Sequence, residues 1–336
     1  MTAFRFSVIL SPTCAIGADH LETKAEGAES RQRQLIKILH YNTWYEDLSR
    51  NFNVDAGERR GFLYALLAVS FFATSPVLVR WAEPLSPYER TAWRMVVGAA
   101  AVASLAVIQG APPRYQARDL PRFLLYGAIA ALHFLTYIAS LDYTTIAHSL
   151  SIVYTAPIFV TIFSALFLGE PVARHKYLGV AITVVGVAIL AGFEPRFSGR
   201  MLLGDALALV SAITFGLYSV AGRSERERYP LLHYAAGVYG LAALWLSGPA
   251  LVYSAGGYGW RQILALLGLG LLPTALGHTL YNAALRRIHA TYCNLIATQE
   301  VTGGVILGIV LLGETPGWTS IAGVATTLVG IATVLL

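Results

Sequence analysis

Glu300 stands near the middle of an apolar stretch, about ten residues from either end, and no other acidic residue lies so deep in an apolar run of this chain. An ionisable group at that depth is costly and normally faces an internal cavity or a partner. An apolar surrounding makes the neutral form of a carboxyl easier to reach, which is the property a proton-coupled carboxylate needs. Glu300 is therefore read as a proton-coupling group or a site for a substrate amine, against the plainer role of a protonated acid bonded between helices. Gln299 adds an uncharged donor and acceptor beside it.

Two histidines extend the set. His278, Tyr281 and Asn282 are spaced i, i+3 and i+4, so on a helix they share one face, and His133, Thr136, Tyr137 and Ser140 form a similar stripe. Matching stripes suggest that both line one aqueous pocket, although a lone histidine between helices more often serves as a hydrogen-bonding strut. No second metal ligand lies at i+4 from either histidine and no cysteine accompanies them, so a metal site is not expected. Arg94 lies a turn and a half inside another apolar run, where it either binds a substrate carboxylate or pairs with Glu300, or else snorkels to the interface. Helix-spaced polar sets at Ser70 and Thr74, Ser151 and Thr155, and Ser211, Thr214 and Tyr218 are candidates for the same cavity; singly, such residues more often pack helices together.

The elements that must position these groups are membrane spans. Hydrophobic residues make up 56% of the chain and charged residues only 13%, against about 25% charged in soluble domains, and the mean hydropathy is +0.58. Ten apolar stretches long enough to cross a bilayer run roughly over 61–82, 89–109, 121–141, 146–169, 176–193, 201–221, 230–254, 261–284, 290–312 and 317–336. They do not alternate in short blocks, so helices and not a barrel are expected. Twelve basic residues, Arg114, Arg118, Arg223, Arg286 and Arg287 among them, fall on the side of the amino terminus, and five, including Arg80, Arg90 and Arg200, fall on the other. That excess places both termini in the cytoplasm and makes the +5 net charge a matter of topology, with no nucleic-acid partner. Cys14 and Cys293 offer neither a disulfide framework nor a metal spacing. Residues 1–60 read as a leader, disordered or with an interfacial helix over 31–48; a misassigned start and a cut-off carboxyl-terminal tail are both open at this stage.

The second half repeats the first. Leu168-Gly169-Glu170 returns 144 residues later as Leu312-Gly313-Glu314, and Gly179 and Gly186 return as Gly323 and Gly330. Ten of 25 ungapped positions are identical between 166–190 and 310–334. A unit of five spans inverts its second copy, which gives an all-α polytopic membrane protein of ten transmembrane helices in two inverted five-helix repeats, 61–195 and 196–336. The repeated glycines, with Gly304 and Gly308, are read as packing surfaces, and the two Gly-Glu pairs as helix ends.

The pattern of Pro157, Leu166-Phe167-Leu168-Gly169-Glu170-Pro171, Gly179 and Gly186, together with Trp93-Arg94-Met95 after Pro87, resembles the EamA type of the drug/metabolite transporter superfamily over residues 61–336. The second copy reads Glu300-Val301 where family members usually have glutamate-proline, so no kink is carried over to the ninth span. The resemblance implies spans one to four and six to nine around a central cavity, spans five and ten at the periphery, and a small metabolite, such as an amino acid, as cargo.

These readings converge on a secondary active transporter in the cytoplasmic membrane, not an enzyme, working by alternating access on a small polar or amphipathic, amino-acid-like metabolite by exchange or proton coupling. No phosphate-binding G-x-x-x-x-G-K-[ST] sequence occurs and no cofactor is expected. A broken-helix variant of the transporter would use Pro76 and Gly216, and a different class is a membrane enzyme acting on a lipid. The expected substrate-binding set is Arg94, His133, Tyr137, His278, Tyr281, Asn282 and Gln299, with Glu300 as the proton-coupling group. Substrate identity, direction of transport and oligomeric state, a homodimer included, are left open by the sequence.

Overall fold

The computed structural model describes residues 55–144, 146–190, 199–303, 306–307 and 318–335. The leader up to residue 54 therefore lies outside the described residues, as do Gly304, Gly308 and the second Leu-Gly-Glu copy. The described chain is helical, without strands. Six helical runs are long and apolar enough to cross a membrane: Ala56–Trp81, Pro87–Ile108, Ala117–Tyr143, Gly199–Ser224, Leu231–Val252 and Trp260–Leu285. They coincide with the expected first, second, third, sixth, seventh and eighth spans.

In chain order the helices are α1 (Ala56–Phe72), α2 (Ser75–Trp81), α3 (Pro87–Ile108), α4 (Leu120–Tyr143), α5 (Ile146–Val153), α6 (Ala156–Phe163) and α7 (Lys176–Leu190). The second half supplies α8 (Gly199–Ser224), α9 (Leu231–Val252), α10 (Trp260–Leu269), α11 (Thr279–Leu285), α12 (Ala290–Ala297) and α13 (Trp318–Leu335). Asp55 starts α1 by accepting the Glu58 N–H at 2.7 Å. Ser86 and Glu89 close a reciprocal box at the start of α3, with Pro87 at the position that needs no N–H.

Several spans are interrupted, and the interruptions have chemical causes. Between α1 and α2, Pro76 has no N–H to give, and the Thr74 hydroxyl donates to the Phe71 carbonyl at 2.7 Å. Between α5 and α6, Pro157 acts in the same way, and the Thr155 N–H turns to the Ile152 carbonyl at 3.0 Å. Exactly one repeat length later the Gln299 N–H makes the same bond to the Ile296 carbonyl, also at 3.0 Å. No proline follows there; instead the Thr298 hydroxyl takes the Leu295 carbonyl at 2.6 Å, and the backbone tightens around it. Two stretches widen into π-helical turns, Ser164–Leu168 and Gly270–His278, the second around Pro273. Gly169 ends the first of these with φ +64, a left-handed cap that favours glycine.

The two halves interlock reciprocally. The third span packs on the sixth and the eighth on the first, while α6 packs on α8 and α12 on α1; α3 meets α9, and α7 meets α13 in the most extensive helix pair. Small residues set that last contact. A Cβ on Gly186 would strike Thr327, one on Gly330 would strike Thr183, and one on Gly179 would meet Val334, so the helices run antiparallel with backbones in contact. Each threonine hydroxyl is bonded within its own helix, Thr183 to the Gly179 carbonyl and Thr327 to the Gly323 carbonyl, both at 2.8 Å.

At one end of the bundle Glu170 joins the halves. Its carboxylate pairs with Arg223 at the end of α8 and with Arg226 at 3.6 Å, and its carbonyl accepts the His289 Nε2–H at 2.8 Å. His289 in turn caps α12, its Nδ1 accepting the Thr291 N–H at 3.1 Å. Burial holds the His289 imidazole below the usual histidine range, because protonating Nδ1 would set an N–H against an N–H in a place with little water. A histidine whose folded pKa is depressed stabilises fully above its unfolded value of about 6.5 and loses that contribution as the pH falls.

Two outcomes follow from this packing. Gly186→Leu should lower stability by about 1–3 kcal/mol through overpacking against Thr327, read as a fall in Tm in detergent, whereas Val185→Leu on the exposed face of α7 should leave Tm unchanged. His289→Asn, which keeps a capping acceptor that does not titrate, should flatten the decline in Tm that the unsubstituted protein shows between about pH 7 and pH 5.

Candidate functional site

A small cavity lies where the halves meet. Arg94, His133, Tyr137, His278 and Glu300 line it, joined by Ser75, Tyr154 and an apolar wall of Phe72, Phe134, Leu150, Val153 and Phe215. Five of the eight expected site residues are thus brought together from four helical segments. Its charged groups are a guanidinium and a carboxyl, and both are nearly inaccessible, at 2% and 7% exposure.

Arg94 does not snorkel; its guanidinium turns inward from α3. Its Nε donates to the Thr274 hydroxyl at 2.7 Å, and its Nη1 donates to the Ser75 hydroxyl at 3.2 Å. Its Cζ lies 4.5 Å from the centre of the Phe134 ring, over the ring face, a cation–π arrangement. Local backbone makes each partner available. Ser75 opens α2 just past the Thr74 interruption, and Thr274 sits in the π-helical stretch, where its hydroxyl also donates to the Leu269 carbonyl at 2.8 Å. Gly98, one turn along α3, lets this stretch approach, since a Cβ there would lie 2.6 Å from the Thr274 methyl.

Glu300 resumes the helix directly after the Thr298 and Gln299 turn. The Tyr154 hydroxyl donates to its Oε2 and the Tyr137 hydroxyl donates to its Oε1 at 3.4 Å. Both tyrosines come from the first half, so the carboxyl of the second half is held entirely by the other copy. No ion pair joins Arg94 to Glu300 among those found for the described residues. The two groups share one cavity, and each is satisfied by neutral hydroxyls.

The histidines form part of an aromatic box. His133 stacks on Phe215 with centroids 4.8 Å apart, and its Nδ1 lies 3.0 Å from both the Ser211 carbonyl and the Ser211 hydroxyl. A carbonyl can only accept, so that contact assigns the proton to Nδ1. His278 packs against Phe72 at 4.4 Å and edge-on to Phe134 at 4.7 Å, and its own Nδ1 is buried without a hydrogen-bond partner. Among the described residues no group of three histidine, cysteine, aspartate or glutamate side chains is placed to hold a metal ion.

Tyr281, Asn282 and Gln299 do not line the cavity. The Tyr281 hydroxyl bonds Ser219 at 2.7 Å and accepts from Asn294 at 3.1 Å, which ties α11 to α8 and α12. Asn282 donates to the Tyr218 hydroxyl at 2.6 Å and to the His278 carbonyl at 2.9 Å, bracing the ring that meets His278 edge-on. Gln299 bonds locally with Thr298 and Thr302. Of the other polar sets, Ser211 holds His133, whereas Ser70 and Thr214 bond back to their own helix; the Ser151 side chain lies outside the described residues. Sequence reasoning missed Ser75, Tyr154 and Thr274. The available signal was the position of Tyr154 three residues before Pro157, at the level that Thr298 and Glu300 occupy in the second copy.

The model of the EamA-like transporter family matches the chain twice, over residues 59–192 and 202–336. The chain belongs to that family. It carries two copies of the domain and is a transporter-type membrane protein of the drug/metabolite class. It is 26% identical over 270 residues to an uncharacterized transporter of Archaeoglobus fulgidus, covering 79% of this chain and 95% of that one. It is 28% identical over 229 residues to the pseudopaline exporter CntI of Pseudomonas aeruginosa, with 66% and 79% covered. A probable terminal-alkyne amino-acid exporter of Streptantibioticus cattleyicolor is 28% identical over 247 residues, with 70% and 80% covered. A solved crystal structure shares the fold with a TM-score of 0.71 at 18% identity, covering 81% of this chain and 95% of that chain.

Arg94→Lys tests the geometry of the site. A lysine cannot reach both Ser75 and Thr274 as a flat fork or stack on Phe134, so transport into proteoliposomes should fall by about tenfold or more, the cost of one charge-assisted hydrogen bond, with membrane insertion unchanged.

Proposed function

We propose that this transporter is a secondary active one that moves a small, amino-acid-like metabolite across the cytoplasmic membrane by alternating access between two inverted five-helix halves. The observation that carries the reading is the coexistence of Arg94 and Glu300, unpaired with each other, in one cavity walled by rings. A zwitterion offers a carboxylate for the guanidinium and an ammonium for the carboxyl, and its side chain meets Phe72, Phe134 and Phe215. Relatives named as exporters of pseudopaline and of a terminal-alkyne amino acid support a substrate of this class and an outward direction.

The antiparallel contact of α7 with α13, and the matched interruptions after Ile152 and Ile296, support ten helices arranged as inverted halves over 61–195 and 196–336. The excess of arginine on one side supports cytoplasmic termini. His133, His278 and Tyr137 shape the pocket in this reading, and Tyr281, Asn282 and Gln299 hold its walls in place.

Glu300 couples the cycle. As a carboxylate it accepts hydrogen bonds from both tyrosines; once protonated, one oxygen becomes a donor, and a tyrosine hydroxyl must turn to accept. Either a proton or a substrate ammonium satisfies the site, so the two compete for it. In proteoliposomes loaded with the twenty proteinogenic L-amino acids, counterflow of at least one is expected. Glu300→Gln should abolish proton-gradient-driven accumulation, by about 100-fold or more, in a protein that still inserts and elutes as a single species. Accumulation that persists in this variant with an unchanged pH profile would refute the coupling role.

A further inference from the structure

Four residues before Arg94, and so on the same face of α3, lies a second buried guanidinium. Arg90 is 2% exposed. Its Nη2 pairs with the Asp142 carboxylate at the end of α4, while its Nε and Nη1 are enclosed without a hydrogen-bond partner. The Thr144 hydroxyl, two residues beyond Asp142, is likewise buried and unpartnered. The second half closes over this cluster. Arg200 of α8 donates to the Asp142 carbonyl at 2.9 Å and lies over the Tyr143 ring at 6.0 Å. Gly204 backs onto Tyr143 and Thr144, where a Cβ would lie 3.1 Å from each.

A buried cation held by one nitrogen is an incomplete arrangement, because donors of a charged group left without acceptors are costly. We propose that Arg90 is a second anion-binding residue on the outer side of the cavity, exchanging the carboxylate of an amino-acid-like solute with Arg94. The inference rests on the transporter reading above. Asp142 is the internal carboxylate that holds Arg90 while no solute is present. Exchanging one carboxylate for another keeps the guanidinium paired throughout, so no bare charge is exposed to the low dielectric. Residues at i and i+4 lie about 6 Å apart, which makes the transfer between Arg94 and Arg90 a movement of one helical turn.

The test uses the full-length protein in proteoliposomes, with the twenty proteinogenic L-amino acids as substrates and their methyl esters as inhibitors. The esters keep the side chain and the ammonium but carry no α-carboxylate. Arg90→Gln is expected to raise the KM for amino-acid uptake about 10- to 100-fold, the range for hydrogen bonds to a charged group, while ester inhibition changes by less than about twofold. Asp142→Asn, which removes the competing carboxylate, is expected to lower the same KM. If amino acids and esters shift together in Arg90→Gln, or if Asp142→Asn raises KM as well, Arg90 is a structural strut and the proposal falls with the transporter reading intact. If the unsubstituted protein takes up none of the amino acids, both readings fall.

Discussion

An ionised group inside an apolar bundle must find its hydrogen bonds there, and the centre of this protein is arranged around that constraint. A direct Arg94 to Glu300 pair would satisfy both groups at once and leave nothing for a solute to do. Here Ser75 and Thr274 hold the guanidinium, and Tyr137 and Tyr154 hold the carboxyl. Hydroxyls are partners of a particular kind: they donate or accept as required and carry no charge of their own. They keep both groups solvated without cancelling the field between them.

Three of these four hydroxyls arrive by way of irregular backbone. Ser75 follows one helix break, Tyr154 precedes another, Glu300 follows a third, and Thr274 and His278 belong to a π-helical stretch. Irregular segments at membrane depth are tolerated where they are buried in protein or line a cavity, and all four converge on the same small cavity. The uninterrupted helices α3, α4 and α8 supply Arg94, His133, Tyr137 and Phe215, whose positions follow from simple helical spacing.

That division explains what could be read in advance. The long spans, the duplication and the deep positions of Arg94 and Glu300 were legible because hydropathy and spacing along one segment determine them. The stripe of His278, Tyr281 and Asn282 was only half informative. A helical face one turn long crosses two environments, and His278 lies at the level of the cavity while Tyr218, Ser219 and Asn294 take up the polar groups one turn on. The partners of Arg94 were hidden because they lie 19 and 180 residues away. The absence of proline after Glu300 argued against a kink, yet the chain breaks there, since a threonine hydroxyl can capture a carbonyl where no proline stands.

The meeting of α7 and α13 carries an evolutionary consequence. Gly186 meets Thr327 and Thr183 meets Gly330, and the two pairs are the same pair of positions, exchanged between copies. A contact of that form is self-complementary. A single ancestral copy with one glycine and one threonine at these places would make it with the same helix of a second molecule, the two helices running antiparallel. Fusion would then free each copy to drift, and the drift is visible where alanine faces glutamate at positions 156 and 300.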